Sequence, residues 1–336
     1  MGSAEIRSDY ILRLWEQFVQ SGKLPDGGLN PVVAASWRRC YEQNVDPNDG
    51  RSHHVLDDSA LARVISERAE LLGIALPLMQ DLNRYVAGSG FLVMLTDERG
   101  FILEALGDQD TLARAREINF IKGAAWTEKE VGTNAIGTVL EEKVPLQINS
   151  YEHYCRLHHV WTCSAAPIFS EQKQLIGVLN MSGPCQETHK HTLGMVVSAV
   201  AAITHQMRVR EKNRQLNLLN ERMRNVFMSM SDGVIILDKT GRIVQVNPVA
   251  EKLLGRGSRD MEGESYLQAF PEFTGVGDTL RKGKDFIDVE TPLQGNPGVV
   301  HCIASSKPMW GEGQQVNGAV VIFNPVKRIR NLVNRM

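Results

Sequence analysis

The sequence predicts an α+β chain: two antiparallel-sheet domains joined by a long helix and preceded by N-terminal helices. Three observations carry this. Two hairpin-like stretches, each an apolar run, a polar turn ending in glycine and a second apolar run, stand far apart in the chain. Between them, Lys190 to Met230 has no proline and only Gly194 as a glycine. Before the first hairpin, apolar residues recur at helical rather than strand spacing.

In order along the chain, YILRLWEQFVQSGKL places Ile11, Leu12, Trp15, Phe18 and Val19 on one helical face. PVVAASWRRCYEQ starts a second helix with Pro31 in its first turn. Asp46 to His54 is a polar loop. DDSALARVISERAELLGIALPLMQDLNRYV reads as helix, with Asp57, Asp58 or Ser59 as cap. Phe91 to Thr96, the D-E-R-G turn and Phe101 to Leu106 form the first hairpin, followed by an irregular stretch to Trp126. EVGTNAIGTVLEEK is a short helix, VPLQI a strand, and CSAAPIF, SEQKQ and LIGVLNMSG a second hairpin. After the long helix, SDGVIILDKTGRIVQVNPVAEKLLG reads as strand, turn, strand and a helix capped by Asn247. KDFIDVETPLQ, GVVHCIASSKPMW and VNGAVVIFNPV are three more strands. The boundaries expected are 1–73 for the N-terminal helices, 74–190 and 232–326 for the two sheet domains, and 191–231 for the linking helix.

The totals narrow the function classes. A chain of 336 residues has room for two or three domains. Its 43% hydrophobic and 23% charged content is that of a globular protein, and a net charge of −2 argues against a dedicated nucleic-acid binder. No window of about 18 apolar residues predicts a membrane span, and MGSAEIRSDY lacks the apolar core of a signal peptide. Five scattered cysteines fit a reducing cytoplasm better than a disulfide scaffold.

The stretch beginning SDGVIILDKTGRIVQVNPVAEKLLG resembles a PAS domain, through its hairpin, Asn247-Pro248, Ala250 and Leu253-Leu254-Gly255. The preceding domain resembles a GAF domain of the kind found in regulators of acetoin catabolism and of the dihydroxyacetone kinase operon. SWRRC (36–40), EVGTNAIGTVLEE (130–142), EHY (152–154), WTCSAAPIF (161–169) and LIGVLNMSG (175–183) carry that resemblance. It implies the sensory half of a bacterial sigma-54-dependent activator. Such proteins continue into an AAA+ ATPase and a helix-turn-helix. This chain has no G-x-x-x-x-G-K-[ST] loop, and NPVKRIRNLVNRM favours an excised sensory half, with 327–336 as the start of a linker. DNA would be met only through output domains.

The stretch EHYCRLHHVWTCSAAPIF concentrates histidine, cysteine and glutamate. A metal centre is disfavoured, because C-x₇-C with H-H between is not a zinc spacing and a helix would hold His153 and His158 about 140° apart. A nucleophilic Cys155 or Cys163 lacks an evident oxyanion hole. A ligand pocket is the reading kept: the GAF resemblance puts the stretch at the pocket edge, with Tyr154, His158, His159 and Trp161 as its aromatic and polar wall. Trp126, Asn134, Glu152 and His153 are further ligand-binding candidates. The alternative is structural, with Glu152 and His153 tying a loop to the helix GTNAIGT. Asn134 or Thr133 then caps that helix and Gly132 and Gly137 allow close approach. In the PAS-like unit His301, Cys302 and Trp310 are weaker pocket candidates. Catalytic residues, metals and cofactors are expected to be none; a haem or metal sensor, or a thiol enzyme, is the rival.

Val196, Val200, Ile203 and Met207 are spaced 4, 3, 4, and Leu216, Leu219, Met223, Val226 and Met230 are spaced 3, 4, 3, 4. The two runs form a heptad-like seam with a phase break near Arg208 to Gln215. The second run is flanked by residues too polar for burial, so it predicts a dimer helix in a homodimer. From the family the input is a small effector, an acetoin-like ketone or diol, or a regulatory protein partner. The first predicts a polar-aromatic pocket, the second an exposed apolar patch.

Overall fold

A computed structural model describes residues 3–25, 27–295 and 298–326. The chain divides into two compact units between Asn213 and Arg214. The stretch 327–336, read above as the start of a linker, lies outside the described residues.

The first unit begins with α1 (Ser3–Ser21), α2 (Pro31–Glu42), α3 (Asp58–Glu67) and α4 (Ala69–Tyr85). Asn30 starts α2 by accepting the Val32 N–H at 3.0 Å, with Pro31 in the first turn. Asp57 does the same for α3. The stretch read as one helix from Asp57 breaks at Arg68 into α3 and α4. Then come β1 (Leu92–Asp97), β2 (Ile102–Gly107), α5 (Gln109–Glu117), α6 (Glu128–Val131) and α7 (Ala135–Glu142). Helix α5 occupies part of the stretch read as irregular; with four of nine residues charged it shows little apolar periodicity, and only Thr111 and Ala115 are buried. β3 (Leu146–Asn149), β4 (Trp161–Phe169), β5 (Leu175–Pro184) and α8 (Lys190–Ser229) follow.

The antiparallel sheet has the order β2-β1-β5-β4-β3 among the described residues. It is covered on both faces, which is why β4 is apolar or small throughout. One face joins Leu92, Met94, Cys163 and Val178 to Trp15, Phe18, Trp37 and Ile136. The other joins Val93, Leu95, Ile168 and Leu179 to Leu71, Ile74 and Met79 of α4 and Val196 and Ile203 of α8. The helices read as a separate segment 1–73 therefore share their cores with the sheet.

Helix α8 passes through Arg208 to Gln215 without interruption, so the shift in heptad phase does not break it. Its 40 residues extend about 60 Å. Leu216, Leu219, Met223 and Val226 are exposed by 54–65%, and Met230 lies just past the helix end.

The second unit adds β6 (Gly233–Asp238), β7 (Ile243–Val246), α9 (Pro248–Leu254), α10 (Ser258–Met261), α11 (Tyr266–Ala269), α12 (Gly275–Lys282), β8 (Phe286–Gly295), β9 (Gly298–Trp310) and β10 (Val316–Pro325). Its antiparallel order is β7-β6-β10-β9-β8. Asn247 caps α9, accepting the Ala250 N–H at 2.9 Å. Phe270, Phe273, Phe323 and Cys302 fill the interior. Of the weaker candidates here, Cys302 is buried while His301 and Trp310 are exposed.

Candidate functional site

The site of interest lies in the first unit, where residues 150–160 run between β3 and β4. This segment is not one helix but two short 3₁₀ turns, Ser150–Glu152 and Arg156–His158. The turns bring the His153 and His158 rings edge to face, 5.9 Å between centroids. The helical spacing argument that held them apart therefore does not apply.

Three ring N–H groups hold the backbone of the first turn. The carbonyls of Glu152, His153 and Tyr154 accept from Trp37 Nε1 (2.8 Å), His159 Nε2 (3.2 Å) and Trp15 Nε1 (2.7 Å). Buried carbonyls need partners, and two tryptophans of the N-terminal helices supply them. The polar loop 46–54 wraps the second turn. Pro47 O accepts the Arg156 N–H at 2.8 Å, and Gly50 O accepts from His158 Nε2 at 2.7 Å. A Cβ on Gly50 (φ +96°) would lie 2.8 Å from Cys155 Cβ, so the loop needs glycine there.

Helix α2 is clamped to α6 and α7 by a partly buried ionic cluster in which only Glu128 is fully buried. Arg39 donates to both oxygens of Glu128 (2.7 and 2.9 Å) and to Glu142 (2.7 Å), and Ser36 Oγ donates to Glu128 at 2.5 Å. The S-W-R-R-C stretch thus has a mechanical role: Ser36 and Arg39 hold Glu128 while Trp37 holds Glu152.

Four of the eight candidate ligand residues meet. Trp126, His153, His158 and Trp161 line a cavity of about 10 Å³ with Ile118, Phe120 and Cys163. Trp126 stacks on His158 at 5.2 Å and packs against Phe120 in a tilted arrangement at 3.8 Å. The volume is that of about one water-sized sphere. A wider cleft of about 300 Å³ shares Ile118 and Trp161 and adds Arg114, Glu117, Arg156, Leu157, Val160 and Pro184. The other four lie outside the cavity lining. Tyr154 packs beside Phe18, and His159 against Trp15 and Tyr151. Asn134 caps α7 through the Gly137 N–H at 2.9 Å, and Glu152 accepts the Asn149 N–H at 2.9 Å. Gly137 is required by close approach, since a Cβ would sit 2.6 Å from the Glu128 nitrogen.

Burial governs the charge of these groups. It pushes His158 and His159 down to about 4 and His153 well below the ordinary histidine range, with neighbouring histidines adding to the effect at His153 and His158 and Arg156 adding to it at His159. All three are neutral at pH 7. Burial also pushes the Cys163 thiol up to about 12 and Cys155 higher still. His153 Nε2 and His158 Nδ1 are buried without a hydrogen-bond partner. Among the described residues no group of three or more His, Cys, Asp or Glu is placed to hold a metal ion. None of the described helices is long and apolar enough to cross a membrane.

Residues 9–208 match the model of the family described as MimR, N-terminal domain, and residues 221–326 match the PAS fold. The chain belongs to the MimR N-terminal domain family. Among family-like proteins, it is similar to a signal-transduction and transcriptional-control protein of Clostridium beijerinckii, 28% identical over 306 residues, covering 91% of this chain and 48% of that one. It is also similar to the acetoin dehydrogenase operon transcriptional activator AcoR of Bacillus subtilis strain 168, 34% identical over 209 residues, covering 62% and 34%. The chain spans about half the length of these curated relatives, or less. In fold it resembles the chain in the crystal structure of the E. coli DhaR(N)-DhaL complex, with TM-score 0.79, 19% identity, and coverage of 88% of this chain and 100% of that one.

The residues that sequence reasoning passed over are Trp15, Trp37, Gly50, Glu128 and Ser150. Trp15 and Trp37 had been read only as helix-face or motif residues. Gly50 sat in a loop read as polar filler.

Proposed function

We propose that this chain is the sensory half of a cytoplasmic, sigma-54-dependent transcriptional activator, and that a small molecule is its input at the His153–His158 cavity. DNA is engaged only through output domains outside this sequence. The observation that carries the reading is that two buried, neutral imidazoles, His153 and His158, join Trp126 and Trp161 in the lining of one small cavity. Similarity to an activator named for an acetoin dehydrogenase operon supports an acetoin-like ketone or diol as the ligand class. The protonated, buried thiols of Cys155 and Cys163 speak against a thiol enzyme. Binding acts by favouring one of two packings of the α8 linker near Arg208 to Gln215. The test is thermal-shift screening of the purified chain against small ketones, diols and their phosphates. A concentration-dependent rise in Tm is expected, worth about 2.7 kcal/mol at a hundred times Kd. No rise across the whole set sinks the reading.

A second reading, protein input, draws on an apolar surface groove lined by Leu78, Leu82, Tyr85, Met195 and Ala199, with Tyr85 77% exposed. The likeness to a chain crystallised with DhaL makes a DhaL-type protein the partner to titrate. Absence of binding at micromolar concentration removes this reading.

The exposed run Leu216, Leu219, Met223, Val226 on α8 supports homodimerisation, because a heptad seam is buried only against another helix. Leu216→Lys with Leu219→Lys is expected to shift the chain to monomer in analytical ultracentrifugation. An unchanged dimer rules out the seam.

A further inference from the structure

The cleft of about 300 Å³ beside the His153–His158 cavity takes no part in the function proposed above. Three charged side chains line it: Arg114 and Glu117 from α5, and Arg156 from the second 3₁₀ turn. Neither guanidinium has a hydrogen bond or an ion pair to a carboxylate among the described residues. Arg114 is held by packing instead. Its Cζ lies 5.7 Å from the centroid of the Trp161 ring, a cation–π contact. The chain passes beside it at Gly90 (φ +75°), where a Cβ would sit 3.6 Å from Arg114 Nη2 and 3.3 Å from Pro184 Cγ. The guanidinium is therefore placed, with its N–H fork unspent. The rest of the wall is apolar. Leu157 is 37% and Val160 62% exposed. The Val160 carbonyl accepts the Cys185 N–H at 3.0 Å, which fixes this wall next to Pro184. Exposed aliphatic surface and two uncompensated guanidiniums thus share one concave site.

A site of this composition fits an amphipathic anion. A guanidinium is weakly hydrated and offers a planar pair of donors that matches a carboxylate. Aliphatic carbon gains by leaving water against Leu157, Val160 and Trp161. The charge count narrows the class further. Two arginines and Glu117 leave one net positive charge, so one anionic charge is matched and a second would face Glu117. We propose that this cleft binds a small monocarboxylate with an apolar body, its carboxylate at the Arg114 and Arg156 rim and its carbon chain along Leu157 and Val160. The site is separate from the inner cavity. It stands whether or not a neutral ketone or diol enters there, because none of its charged groups lines that cavity.

The test is calorimetric titration of the full chain at about pH 7, where carboxylic acids are ionised, with hexanoate, hexan-1-ol and hexanedioate. Hexanoate is expected to bind at least about tenfold more tightly than hexan-1-ol, the scale of one charge-assisted hydrogen bond, and more tightly than hexanedioate. Its affinity should fall as salt rises from about 0.1 to about 1 M, where the screening length drops from about 10 to about 3 Å, while that of the alcohol does not. Equal binding of the alcohol shows an apolar cleft only and overturns the proposal. Tighter binding of hexanedioate overturns it in favour of a dianion site. No binding of hexanoate at millimolar concentration overturns it outright. Two variants locate the site. Arg114→Gln, at an exposed position, is expected to weaken hexanoate about tenfold and to leave hexan-1-ol unchanged. Arg116→Gln, on the same helix but outside the cleft lining, removes the same charge and should change little. An equal loss in both variants, or none in Arg114→Gln, overturns the assignment to this cleft.

Discussion

The two units turn their hairpins alike and fill their interiors differently. In the first, Asp97 Oδ1 accepts from Arg99 and Phe101 nitrogens at 3.0 and 2.8 Å, and Gly100 takes φ +88°. In the second, Asp238 Oδ1 accepts from Thr240 and Arg242 nitrogens at 2.8 and 3.0 Å, and Gly241 takes φ +82°. The interiors diverge from there. The second unit packs Phe270 and Phe273 on Phe323, ring to ring at 5.4 and 6.2 Å. The first unit buries His153, His158, Asn180 and Ser182. An apolar interior maximises stability. A polar one with unmatched acceptors gives up some stability and leaves chemistry for a ligand to complete.

Three changes would break or sharpen that contrast. Among single substitutions the largest effect is expected from Phe323→Ala, which should cost the second unit about 3–5 kcal/mol. Hydrogen exchange should show β6 and β10 losing protection while β1 and β5 keep theirs. Equal loss in both units would mean the interiors are not independent.

Next is acid. His153 and His158 have depressed values in the folded state, so between about pH 6.5 and 4 the unfolded chain binds protons that the folded one refuses. Stability of the first unit is full above about pH 6.5 and falls through that window, by about 1.4 kcal/mol per pH unit for each histidine. Asp49 near His158 opposes the trend, and His159 reinforces it. Tryptophan fluorescence melts at stepped pH follow this, and His158→Phe should flatten the slope. A slope unchanged by that substitution would remove His158 as its source.

The smallest effect concerns the caps. Asn134→Ala and Asn247→Ala should each cost about 1–2 kcal/mol. The second should cost more, because Asn247 Oδ1 accepts both Val234 and Ala250 nitrogens (2.8 and 2.9 Å), whereas Asn134 Oδ1 accepts Gly137. Chemical denaturation of each variant measures this. A reversed order would mean that bond count does not set the cost at these two caps.

The hairpins, the Asn247 cap and the long helix were legible in the sequence because each rests on neighbours a few residues apart: D-E-R-G, D-K-T-G, Asn247-Pro248. The candidate site was legible as a segment but not as a geometry. Helical spacing misjudged His153 and His158 because the chain there makes two tight turns. Helix α5 was missed because its charged surface hides the apolar period, and nothing marked the break at Arg68.

The sequence by itself determined which stretches form strands, turns and helices, and that two sheet units are joined by a long helix; these follow from local periodicity and turn chemistry. Only the tertiary structure decided which of eight candidate residues share a cavity. That outcome depends on bonds across long sequence separations, from Trp15 and Trp37 to the 152–154 carbonyls and from Gly50 to His158. The Gly50 bond also decides which nitrogen of His158 keeps its proton, because that tautomer is set by a partner 108 residues away, whereas His153 meets Ser150 O only three residues before it.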